Sequence, residues 1–212
     1  MRTLVIDPAQ PQPDAVAEAA RWMAADGLTI FPTDTLYGLG ANPWSAAAVT
    51  ALFDAKGRDE RQAVPLIAAS TDVVRQAAGA WSDRMERVLG CFWPGPLSIL
   101  IPAPADMPAV LHAGRGTMAV RVPDHALARA LAAAAGGLIT STSANRSGHP
   151  PANSVAGLDE IAHDPRVLVV DGGQTPGGAP STIVDLTGDE PVLIRVGAIP
   201  AERVMAAWKD CG

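Results

Sequence analysis

Leu28-Thr29-Ile30-Phe31 is an apolar run that Pro32 cuts off, and the same arrangement recurs along the chain. Residues 3–6, 65–69, 97–101, 118–122, 138–140, 167–170, 182–186 and 192–195 are likewise short, apolar and bounded by Gly, Pro or polar turns. Runs of this length suit strands, and none approaches the roughly 18 apolar residues that a membrane-spanning helix needs. Helical spacing falls irregularly between them. It predicts helices over 14–25, 45–56, 72–78, 82–89, 124–135, 155–162 and 200–208. Asp14 and Asp124 are the expected caps of the first and fifth, and Gly136-Gly137 is the stop of the fifth. Residues 32–43 read as a loop. Strands and helices thus mix without strict βαβ alternation. This predicts an α/β (α+β) fold on a mixed, twisted sheet flanked by helices.

Glycine and proline total 39 (20 + 19) of 212 residues. That is under the level of about 25–30% that marks disorder, so the irregular segments are expected to be ordered. No repeat, charge block or linker interrupts the chain, and a single domain over 1–212 is the simplest count. The net charge of −6 argues against a global electrostatic grip on nucleic acid. Cys91 sits in Cys91-Phe92-Trp93 and reads as a core residue. Cys91 and Cys211 are too far apart in sequence to suggest a disulfide framework or a metal site. The apolar start of the chain is too short for a signal peptide, so a cytoplasmic protein is the expectation.

Two segments carry the chemistry. Lys56-Gly57-Arg58 sets two cations two residues apart at a helix end. Ser141-Thr142-Ser143-Ala144-Asn145 packs three hydroxyls, Thr142 included, and one amide behind a short apolar run. Cations with small donors are what a nucleotide phosphate requires. Plainer readings stay open: cations complement a helix C-terminus, and hydroxyls satisfy their own loop. Backbone amides of 141–145 are a candidate anion nest, with Gly57 free to turn both cations one way. Pro32-Thr33-Asp34-Thr35-Leu36-Tyr37-Gly38 is either a turn or a strand end offering hydroxyls, a carboxylate and a phenol to a cleft. Arg121 and Arg195 end apolar strands and need a carboxylate or an anionic ligand. Ser181 opens a strand behind Gly177-Gly178.

Familiar signatures are missing. Gly38-Leu39-Gly40 lacks a third glycine, since Pro43 occupies its place, and no P-loop is present. His112, His125, His149 and His163 show no metal-ligand spacing, so no dedicated metal site is expected. Ser143 is not in a nucleophile elbow.

The segments Pro32 to Gly40, Lys56-Gly57-Arg58, Trp93-Pro94-Gly95-Pro96-Leu97, Val120-Arg121-Val122-Pro123-Asp124-His125, Ser141 to Asn145, Gly172-Gly173, Ser181-Thr182-Ile183-Val184-Asp185 and Arg195-Val196-Gly197-Ala198-Ile199 fall in an order that resembles the YrdC-like family. Its synthases make threonylcarbamoyl-AMP for tRNA modification. The resemblance implies an open sheet with a large concave, positive cavity. It implies a catalytic tetrad of Lys56, Arg58, Ser143 and Asn145, which also contacts ATP together with Thr117 and Arg195. Thr35, Arg121, Ser141 and Ser181 would contact threonine. The implied substrates are L-threonine, bicarbonate and ATP, with Mg²⁺ carried by the ATP. The implied partners are the proteins that transfer threonylcarbamoyl to tRNA, with weak tRNA binding and no membrane. The chain resembles the short form of the family. It departs at Asp59, usually proline, and at Gln62, which replaces an Asn or His. Those departures keep open a paralogue acting on another carbamoyl or acyl substrate. The other alternative is a non-catalytic RNA-binding or ribosome-assembly module.

Overall fold

The computed structural model describes residues 1–210, so Cys211 lies outside the described residues. Its strands are divided between two sheets. The first half of the chain gives β1 (Arg2–Val5), α1 (Pro13–Ala24), β2 (Leu28–Pro32), β3 (Tyr37–Gly40), α2 (Ala46–Lys56), β4 (Leu66–Ala68), α3 (Thr71–Ala78), α4 (Asp83–Gly90) and β5 (Leu97–Pro102). There follow β6 (Thr117–Arg121), α5 (Ala126–Ala134), β7 (Leu138–Thr140), β8 (Thr142–Ser143), β9 (Val167–Asp171), β10 (Thr182–Asp185), β11 (Val192–Arg195) and α6 (Ala201–Asp210).

The five-stranded sheet has the order β1-β9-β2-β3-β8, and the six-stranded sheet β11-β10-β5-β6-β4-β7. Both mix parallel and antiparallel pairs. The first is buried on both faces at β2 and β9. Ile30, Val167 and Val169 face one core, while Phe31, Leu168 and Val170 pack with α1 and α5 on the other. This explains why these strands read as continuous apolar runs rather than alternating ones.

The shortest of the three crossings between the sheets, from β7 to β8, takes a single residue. Thr140 ends β7 in the six-stranded sheet, Ser141 intervenes, and Thr142 begins β8 in the five-stranded sheet. Thr140 Oγ1 accepts from Ala41 N at 2.7 Å and ties the junction to the end of β3.

Several local expectations need correction. Residues 32–43 are not all loop: Tyr37–Gly40 is a strand, paired with β2 and β8. Glycines are weak strand formers, but here Gly40 is required. A Cβ on it would lie 2.6 Å from Phe31 Cε1 and 3.0 Å from Thr140 O. The first helix is not capped by Asp14. It begins at Pro13, where a missing N–H costs nothing, and Asp14 lies in the first turn. His125, not Asp124, caps α5, its Nδ1 accepting from Ala128 N at 3.3 Å. The Asp124 amide is instead drawn to Asp34 Oδ2. Residues 155–162 form two 3-10 turns, Val155–Gly157 and Glu160–His163, because Asp159 caps a new start by accepting from Ile161 N. Cys91 is exposed, not core. No described helix is long and apolar enough to cross a membrane.

Candidate active site

A cavity of about 510 Å³ opens where the two sheets part, within the usual range for small-molecule sites of about 300–1,000 Å³. The six-stranded sheet supplies its floor by strand alternation. Thr117, Ala119 and Arg121 of β6 and Ser98 and Leu100 of β5 line it. The intervening Met118, Val120, Leu97, Ile99 and Ile101 go to the core. Thr33 and Thr35 come from the segment joining β2 to β3, Gly38 from β3 itself, and Ser141, Thr142, Ser143 and Asn145 from the sheet junction. Arg58, Arg115, His149, Ser181 and Arg195 add to the polar lining.

The two cations of Lys56-Gly57-Arg58 take different paths. Gly57 ends α2 in the left-handed region (φ 57°), with Gly57 N bonded to Asp54 O and Arg58 N to Phe53 O. Lys56 therefore turns inward and is only 2% exposed. Its Nζ donates to Ser143 O and Asn145 O, each at 2.5 Å. It is absent from the cavity surface and holds the Ser143–Asn145 backbone from behind. Burial, and then the neighbouring Arg58, push its ammonium down to about 8, with Asp159 opposing. Arg58 does reach the cavity. It is fixed by Ala63 O at 2.8 Å, Thr142 Oγ1 at 3.3 Å and Gln62 O at 3.3 Å. So Gly57 does not aim both cations one way.

The proposed nest of amides is not formed either. Ser141 N bonds to Pro65 O, Ala144 N to Tyr37 O and Asn145 N to Ser143 O, because the segment is committed to strand pairing. What it offers the cavity is side chains. Asn145 Nδ2 donates to Arg146 O and His149 O, while its buried Oδ1 has no partner.

At the other end, Arg121 finds the partner its burial demanded. Its Nη1 donates to Asp34 Oδ1 at 2.5 Å and to Gly95 O at 3.3 Å. Thr35 Oγ1 lies 3.1 Å from Thr33 Oγ1. Ser181 Oγ lies 2.9 Å from Ser98 Oγ, and Arg195 clamps Ser181 through its carbonyl at 2.7 Å and its hydroxyl at 3.0 Å. Burial, then Arg121 and Arg58, lower the basicity of the Arg195 guanidinium. Guanidiniums that disfavour one another in a partly desolvated space make an anion-binding site. Tyr37 borders the cavity, but its phenol donates to Gly173 O at 2.6 Å and is wholly buried. Burial pushes it up to about 12.

Sequence reasoning missed Arg115, Ser98 and His149 as lining residues. Ser98 was legible as a polar break in an apolar strand. Arg115 had a signal too, since Gly114 and Gly116 flank it, both with φ 70°.

An α/β chain whose two sheets enclose guanidiniums, hydroxyls and a carboxamide belongs to the class that binds a small, anionic, polar ligand in a preformed cavity. The family model described as Telomere recombination, covering Sua5, YciO and YrdC domains, matches residues 21–197, and the chain belongs to that family. It is 37% identical over 186 residues to a threonylcarbamoyl-AMP synthase of Pyrococcus abyssi, covering 88% of this chain and 55% of that protein. It is 37% identical over 197 residues to a threonylcarbamoyl-AMP synthase of Bacillus subtilis, covering 90% of this chain and 56% of the relative. The chain thus spans just over half the length of these relatives. The structure of P. abyssi Sua5 complexed with L-threonine superposes with a TM-score of 0.88 at 33% identity, over 98% of this chain and 61% of that one.

Proposed function

We propose that this chain synthesises threonylcarbamoyl-AMP from L-threonine, bicarbonate and ATP, releasing pyrophosphate, for threonylcarbamoyladenosine formation on tRNA. One observation carries the reading. Nine of the ten residues singled out for substrate or catalysis (Thr35, Arg58, Thr117, Arg121, Ser141, Ser143, Asn145, Ser181 and Arg195) border one cavity. Lys56 is the tenth and lies directly beneath two of them.

In this reading the threonine amine and bicarbonate form a carbamate, an N–C bond being made as water is lost. Its carboxylate attacks the α-phosphorus of ATP, a P–O bond forms, and pyrophosphate leaves. Arg121, with Nη1 already held by Asp34, presents the rest of its fork to the threonine carboxylate. Arg195 fixes Ser181, and Ser181 with Thr35 offers hydroxyls to the amino acid. Arg58 stabilises charge developing at phosphorus. Ser143 and Asn145 position phosphate or ribose, and Lys56 sets their backbone while adding its charge from below. Among the described residues no three His, Cys, Asp or Glu side chains converge on a metal. The cationic and hydroxylic donors suit the phosphate oxygens of a nucleotide that would bring its own hydrated Mg²⁺.

The test is pyrophosphate release from ATP and bicarbonate with threonine, with serine, or with no amino acid. Threonine-dependent release and a product of threonylcarbamoyl-AMP mass support the synthase. Release that prefers another amine sinks the threonine assignment, and no release from folded protein sinks the synthase.

A further inference from the structure

His149 borders the cavity beside Asn145 and has no part in the scheme above. Its ring is not free to choose its orientation. Nδ1 lies 3.0 Å from Asp159 Oδ2, and the same oxygen accepts from Arg146 N at 2.8 Å. Asp159 Oδ1 accepts from Ile161 N. Asn145 Nδ2 binds the His149 carbonyl at 2.7 Å, and Ser147 N bonds to Lys56 O. The loop carrying His149 is therefore tied to the second 3-10 turn, to the sheet junction and to the end of α2.

The chemistry follows from the partner. A carboxylate only accepts, so Nδ1 carries a proton and the neutral ring offers a lone pair at Nε2. Nε2 makes no hydrogen bond among the described residues. Asp159 is largely covered (19% exposed) and does not line the cavity, whereas His149 is half exposed and does. A carboxylate behind the wall of an anion site repels its ligand. Protonating His149 at Nε2 cancels that charge and turns an acceptor into an N–H donor facing the cavity.

The charges packed around the ring leave room for this. Arg146, on the same loop, is engaged by Glu160 of the 3-10 turn at 2.6 Å. Its Nη2 lies 3.7 Å from where a Cβ on Gly57 would sit, between Lys56 and Arg58 at the end of α2. With His149 neutral, the cation acting on Asp159 from outside this loop is the buried ammonium of Lys56 at the end of α2. With His149 charged, the four groups Arg146, Glu160, His149 and Asp159 balance.

We infer that His149, backed by Asp159, is an additional phosphate-binding residue that takes up a proton from solvent when a nucleotide enters the cavity. The inference rests on the nucleotide reading given above and adds a residue and a proton to it. The imidazolium donates from Nε2 to a phosphate oxygen, while Nδ1 keeps its bond to Asp159.

Calorimetric titration with Mg-ATP, in buffers of different ionisation enthalpy from about pH 6 to about pH 8.5, counts the protons exchanged on binding. Lys56 and the nucleotide phosphates exchange protons as well, but they are common to wild type and His149→Gln. The difference between the two proteins isolates the imidazole. We expect His149→Gln to lose part of the proton uptake and to bind Mg-ATP about five- to tenfold more weakly, as for one charge-assisted bond at a half-exposed site. Asp159→Asn, whose single oxygen keeps an acceptor for one of the two loop amides, should lower the uptake while His149 remains. Equal proton uptake in wild type and His149→Gln overturns the inference even where affinity falls, since a structural role alone would weaken binding without moving protons. Absence of Mg-ATP binding by folded wild type overturns the nucleotide reading itself.

Discussion

Arg121 Nη1 meets Asp34 Oδ1 at 2.5 Å, with both side chains less than one-tenth exposed. The cavity thus contains a guanidinium whose orientation is set before any ligand arrives. Asp34→Asn removes the charge and leaves Arg121 buried without its partner. We expect a loss of about 3–5 kcal/mol of stability, measured by denaturant unfolding. The apparent affinity for threonine should fall as well. An unchanged unfolding midpoint would mean that water already satisfies Arg121.

Lys56 couples activity and stability to pH in opposite senses. Its pKa is lowered from 10.5 to about 8 in the folded state. Over that window the unfolded chain binds more protons, so the Lys56 contribution to stability rises with pH. Activity should fall over the same window as the charge beneath Ser143 and Asn145 disappears. Lys56→Met should lose about 2–4 kcal/mol of transition-state stabilisation and lack this alkaline limb in its kcat/KM profile. A variant with full activity at subsaturating ATP would remove Lys56 from the mechanism.

Tyr37 is the chain's one tyrosine, so an ultraviolet alkaline titration reads a single phenol. Its folded pKa is about 12 rather than 10.0. The native protein should therefore show no tyrosinate through the ordinary range, and the absorbance step should come near the upper value or with unfolding. The linkage has the reverse sign to that of Lys56: the stability it brings is complete below 10 and is lost toward 12. A step near 10 in folded protein would contradict the burial of the phenol against Gly173.

Gly40→Ala places a methyl group against the Phe31 ring and the Thr140 carbonyl. We expect about 1–3 kcal/mol of destabilisation from overpacking. The signature is lower activity from a disturbed sheet junction, with Phe31→Leu in the same chain restoring stability in part. Equal melting temperatures of the wild type and Gly40→Ala would show that the ring moves freely.

Most strands were legible because their burial is continuous, as in Leu28–Phe31, or because polar and apolar residues take turns facing cavity and core, as in Thr117–Arg121. The same alternation put Thr117 and Arg121 on one face. What escaped was β3 and β8, the pair that builds the junction. Two of the four residues of β3 are glycines and β8 is only two residues long, so neither makes a strand pattern, and pairing of β3 with β2 and with β8 holds them. The caps failed for a similar reason. Asp124 had a local role to fill at α5, but Asp34, 90 residues away, competes for its amide. The divergence of Lys56 and Arg58 depends on the left-handed turn at Gly57, whose presence was visible although its direction was not.

Ser141 is the lone residue between β7 and β8, so at that point the backbone joins the two sheets through one link. The chain also crosses between the sheets from β3 to β4 and from β9 to β10, by longer routes, and one core is shared by both sheets. A ligand that touches Ser143 on one wall and Arg121 on the other becomes a further, reversible fastening across the seam. The candidate site and the shortest crossing of the fold are then the same place, and a bound ligand would add a reversible tie where the chain passes between the sheets in one residue.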